Sequence, residues 1–311
     1  MTYLKQIEKI MKKNFNVYSI ALDWTPNVNH IGFIVGKEKG FYKDLGIDLV
    51  IQTPAEDDYK YSPAKKIELG ISDFGLCPTE SLISFRTKKN PFKLYALATI
   101  FNKDISAIAV TDKKNIKRPG DLDGKSYASY GARYEDLIVK QLIKNDGGIG
   151  NIKIHYPKRL GVWNTIKENK YDSTWIFMNW EGMEVSNLRL FKLKDFNIPY
   201  SYSPLIVASS KLINDKKDDV LSFLKATKKA YLYAINNIDE SAKLLFKYLP
   251  ESDKQIDLKK ALNFSIDYFG SPENFGKIET GVLARFLKWL NSNQLEKKTF
   301  NVNDLYIELD F

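Results

Sequence analysis

The sequence predicts an α/β protein of two sheet-containing halves followed by a helical tail. Three observations predict it. Strand-like runs alternate with helix-like runs as far as about residue 210, the signature of a mainly parallel sheet covered by helices. Beyond that point only helical periodicity remains. Finally, the polar and aromatic stretch Leu22-Asp23-Trp24-Thr25-Pro26-Asn27-Val28-Asn29-His30 stands between the first strand-like run and the first helix-like run. That is where open α/β sheets bind ligands.

In chain order, strands are expected at 17–22, 47–52, 71–75, 94–100, 106–111, 126–129, 152–156, 174–178 and 205–209. Helices are expected between them at 30–39, 79–87, 133–145 and 162–168. Pro119-Gly120-Asp121-Leu122 reads as a turn and a short polar segment. Gly147-Gly148-Ile149-Gly150 reads as a loop after a helix end. No strand leads into it and no helix follows, so it does not qualify as a phosphate loop. In the tail, Val220, Leu224, Thr227, Tyr231, Ala234 and Ile235 share one helical face. Ile278, Val282, Phe286, Trp289 and Leu290 share another, and 240–249 and 256–269 fill the space between, punctuated by Pro250 and Gly270. These stripes are core. Leu4, Ile7, Ile10 and Met11 have the spacing of a short amphipathic lead-in helix within residues 1–15.

Composition bounds the function. A chain of 311 residues with 44% hydrophobic and 13% aromatic content can fill one large core or two ordinary lobes. Charged residues at 27% exclude a disordered chain. The net charge of +9 invites a nucleic-acid reading. The lysines, however, are scattered in ones and twos with acids between them, as on a solvated surface, and no nucleic acid is expected as a partner. Cys77 is the only cysteine, which excludes an intramolecular disulfide, and His30 and His155 are too separated to suggest a zinc site. No metal is expected. No apolar run reaches the length of a membrane span. Residues 1–16 carry basic side chains but no apolar signal core, no small-residue cleavage site and no lipobox-like cysteine. As it stands the chain reads as cytoplasmic. It reads as periplasmic or cell-surface if a signal was removed.

The first loop also carries a resemblance. Asp23-Trp24-Thr25-Pro26-Asn27-Val28-Asn29-His30, followed by Gly40-Phe41-Tyr42-Lys43-Asp44-Leu45-Gly46-Ile47-Asp48-Leu49, resembles the thiamine-pyrimidine (NMT1/THI5-like) family. Leu69-Gly70-Ile71-Ser72-Asp73-Phe74-Gly75-Leu76 and Leu122-Asp123-Gly124-Lys125-Ser126-Tyr127 are similar to generic stretches of the wider binding-protein superfamily. Thr174-Trp175-Ile176-Phe177-Met178-Asn179-Trp180-Glu181-Gly182-Met183-Glu184 resembles a more specific run of the family's receptors. The resemblance covers roughly residues 16–290 in order. It implies a two-lobed periplasmic-binding-protein fold of type II. It also implies a discontinuous first lobe, 16–106 with 206–311, a second lobe at 107–205, and hinges near 105–107 and 202–206.

The resemblance admits two functional classes. Receptors of the family deliver aminopyrimidine precursors of thiamine to ABC transporters. Fungal-type synthases of the family make the pyrimidine phosphate, with a lysine for pyridoxal phosphate and a sacrificed histidine just after the stretch matching Asp73-Phe74-Gly75-Leu76. The matching positions here are Cys77 and Ser81, and a chain with one cysteine lacks the synthases' cysteine-rich iron cluster. A solute-binding protein without cofactor or catalytic residue is therefore expected. Cys77 near Glu80 has no histidine nearby in sequence and reads as a buried structural thiol. The expected ligand is a 4-amino-2-methylpyrimidine, hydroxymethyl or formylaminomethyl, captured by a monomer and passed to a permease. The alternatives are a cytosolic biosynthetic enzyme of the same family, or a sulfonate, nitrate or taurine receptor. The anion receptors are weaker because the candidate loops hold more acids than bases.

An aminopyrimidine needs aromatic planes for its faces and a donor–acceptor edge for its ring nitrogen and amine. Trp24, Tyr130, Trp175, Trp180 and Tyr202 are the stacking candidates. Asp23, Glu80, Glu135, Glu181 and Glu184 are the acids that can accept from the amine or pair with a protonated ring. Asn27, Asn29, His30 and Asn179 can orient substituents. Arg133, near a helix start, can read an anionic group or pair with Glu135 or Asp136.

Overall fold

The computed structural model describes residues 15–111, 115–299 and 301–311. The lead-in helix expected through Leu4, Ile7, Ile10 and Met11 lies outside the described residues. Among the described residues, ten strands form two five-stranded sheets. The first sheet contains β1 (Asn16–Ala21), β2 (Ile47–Gln52), β3 (Phe74–Cys77), β4 (Leu94–Thr99) and β10 (Leu205–Ser209), ordered β2-β1-β3-β10-β4. The second contains β5 (Ser106–Thr111), β6 (Ser126–Ala128), β7 (Lys153–His155), β8 (Ser173–Phe177) and β9 (Leu188–Phe191), ordered β7-β6-β8-β5-β9. The molecule is a two-lobed α/β protein.

Both sheets are mixed, where the alternating pattern predicts mainly parallel ones. β1 runs parallel to β2 and β3, whereas β10 is antiparallel to β3 and β4. Likewise β6 is parallel to β7 and β8, whereas β5 is antiparallel to β8 and β9. The cause lies in the crossovers. The chain leaves β4 at the cleft-facing end of the first sheet and enters the second from its own cleft-facing end. β5 must then run away from the cleft, against the parallel strands. β10 repeats this on the return.

Three other elements differ from expectation. The strand expected at 71–75 is the later segment Phe74–Cys77. Residues just before it form a turn, with Gly70 at φ +70 and the Asp73 carboxylate accepting from the Ser19 amide at 2.8 Å and its hydroxyl at 2.9 Å. The helix Pro63–Glu68 and strand β9 were not legible as elements. The helix is one and a half turns long, set by a Ser62 side chain accepting from the Lys65 amide and by Pro63 in the first turn.

The tail helices close over the first sheet. Helix Lys217–Asn236 packs on helix Ile31–Glu38, and the Phe223 ring stacks on Phe74 at 3.9 Å. Tyr231 crosses directly over Gly32, where an added Cβ would stand 2.0 Å from the ring. Only glycine admits that approach. It also brings the Tyr231 hydroxyl to the carbonyl of Asn29, to which it donates at 2.6 Å. The tail thus holds the first loop in place. The C-terminal segment bridges the β4 edge through Tyr306, so that edge is covered. No helix among the described residues is long and apolar enough to cross a membrane.

Candidate functional site

The parallel strands of both sheets point their C-terminal ends at one cleft. From the first sheet come the loops after β1 and β3 and the segment entering β10. From the second come the loops after β6 and β7, and β8 with its own following loop. They enclose a cavity of about 720 Å³, counting its open mouth. Its aromatic walls are Trp24, Tyr130, Trp175, Phe177 and Trp180; its polar groups include Asp23, Asn27, Asn29, Arg159 and Glu181. The two sides meet: the Trp24 and Tyr130 rings stand edge to face, with centroids 5.7 Å apart, and the Arg159 guanidinium lies 5.7 Å above the Trp24 ring.

The first loop is locally built. Asn27 caps a short 3-10 turn (Val28–His30), its side-chain oxygen accepting from the Asn29 amide at 2.8 Å. The Asn27 amide in turn donates to His30 Nδ1 at 3.1 Å. An Nδ1 that accepts leaves Nε2 to carry the proton, so Nε2–H donates to Asp23 Oδ1 at 2.8 Å. His30 is fully buried and does not line the cavity. It orients the Asp23 carboxylate, which does.

Asn179 is likewise buried behind the wall. Its side-chain nitrogen donates to Asn29 Oδ1 at 2.8 Å and to the Ser265 hydroxyl at 2.9 Å. That contact ties the second sheet's loop to the first loop and to the tail. With Asn29 Oδ1 occupied, the Asn29 NH₂ is the group offered to a ligand.

Glu181 lines the cavity and is 7% exposed. Burial pushes its carboxyl up to about 7, against the lowering effect of its own amide and that of Phe177, which donates at 3.0 Å. The neighbouring Glu184 and Asp253 charges push in the same direction as burial. A carboxyl poised near neutrality can serve as donor or acceptor toward an amidine-like ring edge.

The structure turns the remaining expected residues elsewhere. Glu80 is buried against Tyr200, whose hydroxyl donates to it at 2.7 Å; its second oxygen has no partner among the described residues, and burial raises its carboxyl to about 7. Glu135 organises the loop after β6, accepting from the Tyr127 hydroxyl and from the amides of Tyr130 and Ala132. It positions Tyr130 from behind. The Tyr202 hydroxyl accepts from the Glu279 amide, and its carbonyl accepts from Thr79. Glu184 pairs with Lys167 and accepts from the Trp163 indole, both at 2.7 Å, beside a neighbouring compartment of the cleft. Arg133 pairs with Glu296 at 2.7 Å, away from the cleft, so neither Glu135 nor Asp136 is its partner. Cys77 is buried, and burial raises its thiol far above the usual range. Among the described residues, no cluster of metal-ligating side chains is present.

Arg159 and Tyr59 are among the residues sequence reasoning missed, with Phe177, Trp163 and Asp253. Tyr59 and Arg159 follow a strand at its cleft end, Tyr59 after β2 and Arg159 after β7. Applying the strand-end rule to every strand would have found Tyr59 and Arg159. Tyr59 also holds φ at +61, a left-handed conformation unusual for an aromatic residue.

Two lobes with a ligand-sized cleft at the strand ends define the solute-binding-protein fold. The alkanesulfonate-binding protein from Xanthomonas axonopodis pv. citri, bound to MOPS, has this fold: TM-score 0.71, 13% identity, covering 94% of this chain and 98% of that one. The NMT1/THI5-like family model matches residues 27–241, and the chain belongs to that family. The formylaminopyrimidine-binding protein of Halalkalibacterium halodurans is 22% identical over 295 residues, covering 88% of this chain and 84% of that protein. A protein of Haemophilus influenzae named for thiamine biosynthesis is 22% identical over 240 residues, covering 75% of this chain and 73% of that protein.

Proposed function

We propose that this protein is a solute-binding protein that captures a 4-amino-2-methylpyrimidine, hydroxymethyl or formylaminomethyl, between its lobes for uptake or salvage. One observation carries the reading. The cleft presents aromatic planes from both sheets, Trp24 and Trp180 among them, around two carboxyls, Asp23 and Glu181, and the Asn29 amide. Stacking planes plus a mixed donor and acceptor edge are what a flat, uncharged, amino-substituted ring requires. The name of the Halalkalibacterium relative supports the same ligand class. Family membership supports it too, although fold alone does not fix function.

The reading is non-catalytic. It rests on Cys77 and Ser81 standing where the synthases of this family carry their lysine and histidine, and on the burial of Cys77. The lobes are taken as 16–106 with 206–311, and 107–205, a division supported by the strand membership of the two sheets. The ligand-loaded monomer is proposed to deliver its cargo to a permease. An anion receptor fits less well, because the cavity sets Asp23 and Glu181 against Arg159.

The test is a thermal-shift and calorimetric titration of the purified chain with hydroxymethylpyrimidine, formylaminomethylpyrimidine, taurine and pyridoxal phosphate. A ligand that binds only the folded state at a hundredfold excess over its Kd adds about 2.7 kcal/mol of stability. Shifts with the pyrimidines alone support the proposal. A shift with taurine or pyridoxal phosphate alone, or with none of the four, overturns it.

A further inference from the structure

The cleft has a second compartment. It adjoins the first and shares Trp24, Trp180 and Glu181 with it. Its open volume is about 750 Å³, similar to that of the first. Its character is different. Tyr59 and Trp163 join the two shared indoles, so aromatic rings stand on several sides. Glu184 and Asp253 join Glu181, so three carboxyls face Lys167 as the basic lining residue.

These acids are not fully neutralised by their surroundings. Glu184 pairs with Lys167, but among the described residues the Asp253 carboxylate accepts only from hydroxyls, Ser252 at 2.7 Å and Thr25 at 3.4 Å. Glu181 is nine-tenths buried. Phe177 N–H holds its Oε2 and its own amide also bonds the carboxyl, while among the described residues no other residue donates to it. That carboxyl lines both compartments at their junction. Burial pushes the Asp253 carboxyl up and the Glu184 charge adds to it, against the Lys167 charge; burial likewise raises Glu181, with the Glu184 and Asp253 charges adding to it, so the three acids repel one another. A bound cation would relieve that repulsion, and aromatic faces around carboxylates are the chemistry that recognises cations.

Resting on the pyrimidine reading of the first compartment, we infer that the second compartment is a cation subsite. The full ligand would then be an aminopyrimidine whose side arm ends in a positively charged group. The ring occupies the first compartment and the arm passes Glu181. The cationic end is enclosed by Trp24, Tyr59 and Trp163 and faces Glu184 and Asp253. A compact primary ammonium and a flat aromatic cation share this chemistry.

The test is a set of calorimetric titrations at pH 7.5 with four probes. They are neutral 4-amino-5-hydroxymethyl-2-methylpyrimidine, its 5-aminomethyl counterpart, thiamine, and N-methylthiazolium alone. At least one of the two cationic pyrimidines is expected to bind ten times more tightly than the neutral one, or better. The stronger of the two identifies the form of the cation. In Asp253→Asn and Glu184→Gln chains the ratio of cationic to neutral affinity should fall at least fivefold. Equal or weaker binding of both cationic pyrimidines overturns the subsite, as does a ratio unchanged in both variants. If no pyrimidine binds but N-methylthiazolium does, and Asp253→Asn weakens it, the subsite stands and the pyrimidine reading fails. If no probe binds, both fail.

Discussion

Replacing Glu80 with Gln should remove a large part of the pH dependence of stability without touching the cavity. Glu80 is 4% exposed, one oxygen accepts from Tyr200, and the other has no partner among the described residues. Burial raises its carboxyl from 4.5 to about 7. The folded protein therefore keeps this proton through a pH range in which the unfolded chain has released it. The group's contribution to stability is fully present below pH 4.5 and is lost as pH rises through about 7. A rise of that size corresponds to about 3 kcal/mol, most of it between pH 5 and pH 8. Glutamine keeps the acceptor for Tyr200 and cannot ionise. Its own packing cost is the same at both pH values and cancels in the comparison. Urea unfolding of both chains at pH 5 and pH 8, followed by tryptophan fluorescence and circular dichroism, measures the difference. The variant should gain about 2–3 kcal/mol relative to the parent on going from pH 5 to pH 8. Equal pH dependence in the two chains would refute the argument that this carboxyl is held protonated by burial.

Three further outcomes follow from the same geometry. Trp24→Ala removes a wall shared by both compartments and should weaken aminopyrimidine binding by about 1–3 kcal/mol, roughly 5- to 150-fold by calorimetry. Gly32→Ala sets a methyl group where the Tyr231 ring lies, 2.0 Å from its Cδ2. Overpacking of this kind costs about 1–3 kcal/mol in urea unfolding. It should also weaken ligand binding, because Tyr231 holds the Asn29 carbonyl. Arg133→Ala breaks the pair with Glu296, whose carboxylate is buried, so it should lower stability while leaving aminopyrimidine affinity within twofold. A large loss of affinity there would return Arg133 to the site.

The local and periodic features were legible in the sequence, and the site was legible only in part. Strands 47–52, 106–111 and 205–209 and helix 79–87 are found where hydrophobic pattern and punctuation place them. So are the tail helices, because a helical apolar face is a local signal. The loop from Asp23 to His30 and the Trp175 to Glu181 run carried chemistry that pointed to the cleft. Asp23, Trp24, Asn27, Asn29, Tyr130, Trp175 and Trp180 do line the cavity. The sequence could not tell which polar residues face a ligand and which hold the residues that do. His30, Glu135 and Asn179 are hydrogen-bonding side chains of the right kind at the right ends of strands. Each is turned inward, to Asp23, to the loop carrying Tyr130, and to Asn29.

Sequence alone thus determined most of the secondary structure, the two sheet-bearing halves, the family resemblance and the loops that meet. Those depend on periodicity, capping and short motifs, which act over a few residues. Only the tertiary structure decided the direction of β5 and β10, the partner of Arg133, the burial of Glu80, and the second compartment built by Tyr59, Trp163, Glu184 and Asp253. Those residues come from segments as far apart as 59 and 253. Their meeting depends on how the chain crosses between sheets and how the tail packs back. A buried carboxyl's free energy depends on what surrounds it in space, and its neighbours in sequence do not specify that.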